Sequence, residues 1–173
     1  MKKIISLLTI VVILATLGYF LYHISSKVTA KQEAASRIEH LPRFELQTVA
    51  GTSFTHTNLM LNKATVLLFF NSECDFCQHE AESIFDALDQ FTDVQVLFIS
   101  AEQIETISNF ATTYQLNNQP NITFLHDNNS LLGTALDIQS IPTLLIYDSS
   151  KQLIKKHTGQ LKANGILKII NNY

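Results

Sequence analysis

Cysteine is scarce in this sequence. Cys74 and Cys77 can close at most one bridge between them, so a disulfide-stapled scaffold is excluded. Tryptophan is absent, and five glycines and three prolines in 173 residues exclude collagen-like and low-complexity architectures. Charge is sparse as well: 16% of residues are charged against 46% hydrophobic, which excludes a disordered tail. A formal net charge of -3 offers no polycation to neutralise phosphates, so no nucleic acid is expected as a partner.

What is present begins with a long apolar run. Lys2 and Lys3 precede an uncharged stretch from Ile4 to Tyr22, whose helix would extend about 28 Å, close to the hydrocarbon thickness of a bilayer. The length predicts a single N-terminal transmembrane anchor over residues 1–24. A cleaved signal peptide is the competing reading, with Val28-Thr29-Ala30 as its small-x-small site. A three-residue tail on the inner side would leave the rest of the chain outside the cytoplasm, although Lys27, Lys31 and Arg37 offset the N-terminal lysines. Residues 25–42 are polar and helix-favouring and end at Leu41-Pro42, which reads as a stalk. The remainder, 43–173, is long enough to bury a core. It carries thirteen acids and seven bases, so a near-neutral chain hides an acidic domain.

Within 43–173 the hydrophobic period alternates between strand and helix. Phe44 to Thr48 and Ser53 to His56 flank a turn and predict a hairpin. Ala64 to Phe70 is a continuous apolar run, as expected of a strand buried on both faces, and Val94 to Ser100 predicts a second buried strand. Cys74 to Phe91 carries a helical apolar stripe, and Glu102 to Tyr114, Ser130 to Leu136 and Leu161 to Ile170 predict three further helices. Ile122 to His126, Thr143 to Tyr147 and Leu153 to Thr158 complete the strands, and Asn117 to Asn121 reads as a loop. This order predicts an α/β domain with a central mixed sheet flanked by helices.

The chemistry concentrates in Cys74-Asp75-Phe76-Cys77, at the junction of a buried strand and a helix. Residues three apart on a helix share a face, so the two thiols can cycle between dithiol and disulfide. The helix N-terminus favours an anion, which makes Cys74 the attacking sulfur and Cys77 the resolving one. Zinc needs a second pair of ligands; there is no second CxxC, and His79 lies on another face of the helix, so no metal is expected. A structural bridge closing so short a loop would remove little unfolded-state entropy. Glu80, three residues after Cys77, leans back towards it. Two readings compete for this acid: a proton acceptor for the resolving thiol, or one more solvated carboxylate beside Glu82, Asp86 and Asp89. Glu73 to Asp93 holds seven acids and no Lys or Arg, which opposes an anion at the helix start and predicts a reductant.

The order of elements, CDFC at the start of the first long helix and Ile141-Pro142-Thr143 before a late strand together resemble the thioredoxin fold. The N-terminal anchor, the leading hairpin, an additional strand-helix unit before Pro142 and an acid at Glu80 resemble its membrane-anchored TlpA/ResA-type branch, the redoxin-like thiol-disulfide oxidoreductases. The resemblance covers about Leu41 to Ile170. It implies catalysis by Cys74 and Cys77 with Glu80, without a cofactor beyond the redox-active disulfide. It also implies a cis Pro142 facing the dithiol, with Ile141 and Phe76 contacting an extended substrate segment. Implied partners are protein thiols and disulfides outside the cytoplasm, apocytochrome c among the candidate clients, and an upstream membrane electron donor. The chain departs from the wider pattern: Glu73 stands where Trp is usual, Phe76 where Pro is common, and Leu68 where thioredoxin has a buried Asp. Peroxiredoxins place Thr and Pro at the positions of Asn71 and Leu67, so peroxidase activity is not expected. A copper-handling module is the alternative, with His126 or His157 as the distal ligand, although related copper proteins space their cysteines as CxxxC. A redoxin with an oxidising or isomerase role is the other.

Overall fold

The computed structural model of the protein describes residues 16–23, 25, 36 and 38–173. Two units are present, Met1–Ser36 and Arg37–Tyr173. In the first, residues 16–23 are helical and exposed. Residues 4–15 of the expected anchor lie outside the described residues, and no helix among those described is long and apolar enough to cross a membrane. The second unit starts ahead of Arg43. Ile38 is buried there, His40 bridges to Gln152, and the Leu153 amide donates to the Glu39 carbonyl, so the end of the expected stalk packs as part of the domain.

Seven strands form one sheet: β1 (Glu45–Thr48), β2 (Ser53–Thr55), β3 (Ala64–Phe69), β4 (Val94–Ser100), β5 (Ile122–His126), β6 (Thr143–Tyr147) and β7 (Leu153–Thr158). Their order is β2-β1-β5-β4-β3-β6-β7. β3, β4 and β5 run parallel, while β1, β2, β6 and β7 pair antiparallel at the two sides, giving the mixed sheet expected. The central strands β3 and β4 are buried along their whole length because both faces are covered. On β3, Val66 and Leu68 enter one hydrophobic cluster and Leu67 and Phe69 the other.

Four helices flank the sheet: α1 (Asp75–Phe85), α2 (Ile104–Thr113), α3 (Leu131–Ala135) and α4 (Ala163–Asn171). The first cluster collects Cys77, Ala81 and Ile84 of α1, Ile107 and Phe110 of α2, and Ile166 of α4. The opposite cluster is closed by Leu132 of α3 together with Ile38, Phe44 and Phe54.

All four helices are shorter than the sequence predicts, three of them for a visible reason. α1 stops at Phe85, not Phe91: the Ala87 amide turns back to the Ile84 carbonyl, and the chain restarts as a 3-10 turn over Leu88–Phe91. That break lets Phe91 sink into the core, where the Asn121 side-chain amide donates to the Phe91 carbonyl at 2.7 Å. α4 starts at Ala163, not Leu161: Lys162 is its N-cap in extended backbone, and the amides of Leu161 and Ala163 are held by Glu80 and Ser83 of α1. α2 starts at Ile104 because Glu102 is held by groups outside that helix.

Candidate active site

The site is built where β3 delivers the chain to α1. The Cys74 amide donates to the Asn71 carbonyl at 3.2 Å, which folds residues 71–74 into a turn. Cys74 itself is the N-cap of α1, in extended backbone, rather than its first helical residue. Its sulfur accepts the Cys77 amide at 3.3 Å. This N–H of the first turn, which also donates to the Cys74 carbonyl at 2.9 Å, therefore points at the candidate nucleophile. Both cysteines are free thiols, Cys74 half-buried and Cys77 buried. This difference in access suits the two roles expected of them. Phe76, between them, is 60% exposed.

Burial pushes the Cys77 thiol far above its ordinary range, and the contact with the Cys74 side chain raises it further. Cys77 therefore needs a proton acceptor before it can attack. Glu80 stands three residues further along α1. It is fully buried, so the reading of it as a solvated acid is overturned by the packing of α4 across α1. Its Oε1 accepts the Leu161 amide at 3.1 Å, while Oε2 has no hydrogen-bond partner. Desolvation raises its carboxyl from 4.5 to about 8, against the lowering effect of the Leu161 amide, and its charge is felt at Cys77.

The second wall comes from β6. Phe69 pairs with Thr143 across β3 and β6, which brings Pro142 beside the strand end that leads into the CDFC turn. The Ile141–Pro142 peptide is cis, as the resemblance implies. The Pro142 carbonyl accepts the Gly159 amide at 2.9 Å, and Ile141 is 42% exposed. A cleft of about 490 Å³ opens between this loop and the C-terminal ends of β3 and β4, lined by Asn71, Ile99, Glu102, Ile138 and Ile141 among others. Asn71 belongs to both the cleft wall and the turn carrying Cys74.

The histidines do not join this group. His79 is exposed and pairs with Glu82 at 3.1 Å on the outer face of α1. His157 lies on β7 against the Gln160 carbonyl, and His126 ends β5. Among the described residues, no set of three His, Cys, Asp or Glu is placed to hold a metal ion. The sequence reading missed Glu102 and Ser83, which act on partners distant along the chain. The one signal available for Glu102 was its position just beyond β4, the parallel neighbour of β3.

The AhpC/TSA family model matches residues 38–156. No curated protein matches the chain. Solved structures share the fold at low identity. A secreted disulfide oxidoreductase of Mycobacterium tuberculosis, described as homologous to E. coli DsbE, is 20% identical with a TM-score of 0.65, covering 80% of this chain and 98% of that one. StoA from Bacillus subtilis is 19% identical with a TM-score of 0.59, over 74% and 96% of the two chains. The peroxidoxin BcpB of M. tuberculosis is 16% identical with a TM-score of 0.67, over 77% and 94%. With a thioredoxin-like sheet and a CxxC dithiol at the head of α1, the chain belongs to the AhpC/TSA family of redoxins.

Proposed function

We propose that this redoxin is a thiol-disulfide oxidoreductase that reduces disulfides of proteins outside the cytoplasm. One observation carries the reading: a buried thiol, Cys77, stands behind a more accessible one, with a buried carboxyl of raised pKa on the same helix. A structural bridge has no use for such an acid.

The steps follow from the roles. The Cys74 thiolate attacks one sulfur of the client disulfide, forming a Cys74–client mixed disulfide and releasing the other client sulfur, which takes up a proton. Glu80, as carboxylate, accepts the Cys77 proton. The Cys77 thiolate then attacks Cys74 Sγ, breaking the mixed disulfide and expelling the second client thiolate, which is protonated in turn. Two electrons have moved: the client leaves as a dithiol and the Cys74–Cys77 pair remains as a disulfide. A dithiol electron donor, placed by this reading in the membrane, restores it. Phe76 and Ile141 present the exposed apolar surface that a client backbone would contact.

The secreted neighbour and the apolar run from Ile4 to Tyr22 support an extracytoplasmic location and an N-terminal anchor, and apocytochrome c is a client to try first. Asn71 and Leu67, where peroxiredoxins carry Thr and Pro, weigh against the peroxidase activity that one neighbour's name suggests. The test uses two variants. Cys74→Ser should abolish exchange, and Cys77→Ser should accumulate mixed disulfides with clients, identified by mass spectrometry. Adducts formed by Cys77 in the Cys74→Ser protein would reverse the assignment, and no adduct from either would remove it.

A further inference from the structure

Glu102 has no part in the mechanism above, yet its carboxylate is the most heavily engaged near the dithiol. It sits just past β4, thirty residues from Ser72 along the chain. Oε2 accepts the Ser72 amide at 2.8 Å and the Ser100 hydroxyl at 3.0 Å, and Oε1 accepts the Ser72 hydroxyl at 2.6 Å. An acid at this point would ordinarily serve the N-terminus of the helix that follows. Glu102 does not: Gln103 is the N-cap of α2, with no side-chain cap bond, and the carboxylate is turned across to the β3–α1 junction. Both of its oxygens address one residue, Ser72.

Ser72 is held from its other side too. Its carbonyl accepts the Gln78 side chain of α1 at 2.8 Å, and the flanking residues close on Asn71, through the Glu73 amide at 2.9 Å and the Cys74 amide at 3.2 Å. Each of those ties lies within the turn or within α1, so none of them fixes the turn against the sheet. Glu102 fastens that unit to the sheet.

We infer that Glu102 is a positioning residue for Cys74: its carboxylate clamps Ser72 by amide and hydroxyl, and so fixes the N-cap sulfur relative to β4 and the adjoining cleft. The inference rests on the oxidoreductase reading and adds a residue to it. Hydrogen bonds to a charged acceptor are roughly twice as strong as neutral ones, which suits a single side chain to this task. A displacement of about 1 Å at a reacting atom can cost on the order of 100-fold in rate.

The test compares Glu102→Gln, Glu102→Ala and Ser72→Ala in the full chain, with glutathione disulfide as the probe. The readouts are the second-order rate of its reduction, the equilibrium constant of the Cys74–Cys77 pair against glutathione, and stability in denaturant. Glu102→Ala should slow the reaction about tenfold and shift the equilibrium constant several-fold. Glu102→Gln should stay within about threefold of the parent, because the amide oxygen takes the Ser72 N–H while its NH2 donates to the Ser72 hydroxyl. Ser72→Ala, which keeps the backbone donor, should fall between them and should add little in the Glu102→Ala background. If Glu102→Ala does not fold, Ser72→Ala alone decides: an unchanged rate and equilibrium constant overturn the inference. A Glu102→Ala protein that loses stability but keeps both redox readouts overturns it, as does a Glu102→Gln protein as impaired as Glu102→Ala. A parent chain with no exchange at all overturns the oxidoreductase reading and this inference with it, whereas an active parent with an unaltered Glu102→Ala variant overturns this inference alone.

Discussion

Replacing Glu80 with Gln should make the protein more stable and less active, with both effects growing as pH rises. In the folded chain the Glu80 carboxyl is raised from 4.5 to about 8, chiefly because it is desolvated. Between those values the folded state holds a proton that the unfolded state has released, so unfolding stability falls with increasing pH. At about 1.36 kcal/mol per pKa unit, the shift from 4.5 to about 8 comes to roughly 4 to 5 kcal/mol once the folded group also ionises. The amide introduced by Glu80→Gln would keep an acceptor for the Leu161 N–H and would not titrate. Urea unfolding of the reduced proteins from pH 5 to 8.5 isolates this group, because every other titration is common to both curves. The two should coincide near pH 5, with the variant ahead by about 2 kcal/mol or more at pH 8.5. Resolution of a preformed Cys74–peptide mixed disulfide, a step in which Cys74 does not ionise, should move oppositely: the parent should accelerate as pH rises towards about 8, and the variant should lose that limb and about 100-fold in rate. Parallel stability curves would refute the buried, largely protonated carboxyl. A retained pH limb would refute its role as the acceptor for Cys77.

Three further outcomes are expected. Protease added to sealed spheroplasts should digest residues 43–173, and a protected domain would place the activity in the cytoplasm. Glu73, Asp75, Glu82, Asp86 and Asp89 are all exposed, with no Lys or Arg from Glu73 to Asp93, so the dithiol should be a reductant. Equilibration with glutathione should give a potential more negative than roughly -230 mV, and a value near about -120 mV would mark a disulfide donor instead. Lys151→Met should cost about 1 to 3 kcal/mol in denaturant unfolding, because the ammonium caps the carbonyls of Met60 and Lys63 and the Thr65 hydroxyl; an unchanged midpoint would show that water replaces it.

The strands were legible because their signals are local. Val94–Ser100 and Ile122–His126 match the predicted strands to the residue, and the buried Gln95 within β4 is accommodated because its side chain accepts the Met60 amide. Helix ends were less legible, because what terminates them lies elsewhere in the chain. Nothing around Leu161 announces that its amide is spoken for; the acceptor is Glu80, 81 residues away. The stripe through Leu88 and Phe91 is real, but core packing around Phe91 and the reach of Asn121 across the sheet decide that it is not one helix. A helical period records which residues are apolar and says nothing about where the backbone must bend to bury them.

The same division runs through the site. Cys77 and Glu80 are one turn apart on α1 and Cys74 caps the helix one turn earlier, so their succession follows from spacing alone. Whether Glu80 is solvated or buried does not, because it depends on α4, which arrives last and lies across α1 through Leu161 and Ala163. That contact has a chemical consequence. The backbone amide of Leu161 lowers the Glu80 carboxyl while the burial that α4 contributes raises it, and burial is the larger effect. Loosening α4 would therefore admit water, return Glu80 towards an ordinary acid and weaken it as a base for Cys77. Ile166→Ala, which opens the fully buried face of α4 and keeps both cysteines, should lower the midpoint of the pH–rate profile as well as the stability. Loss of stability with an unmoved midpoint would show that the carboxyl takes its character from α1 and the sheet alone.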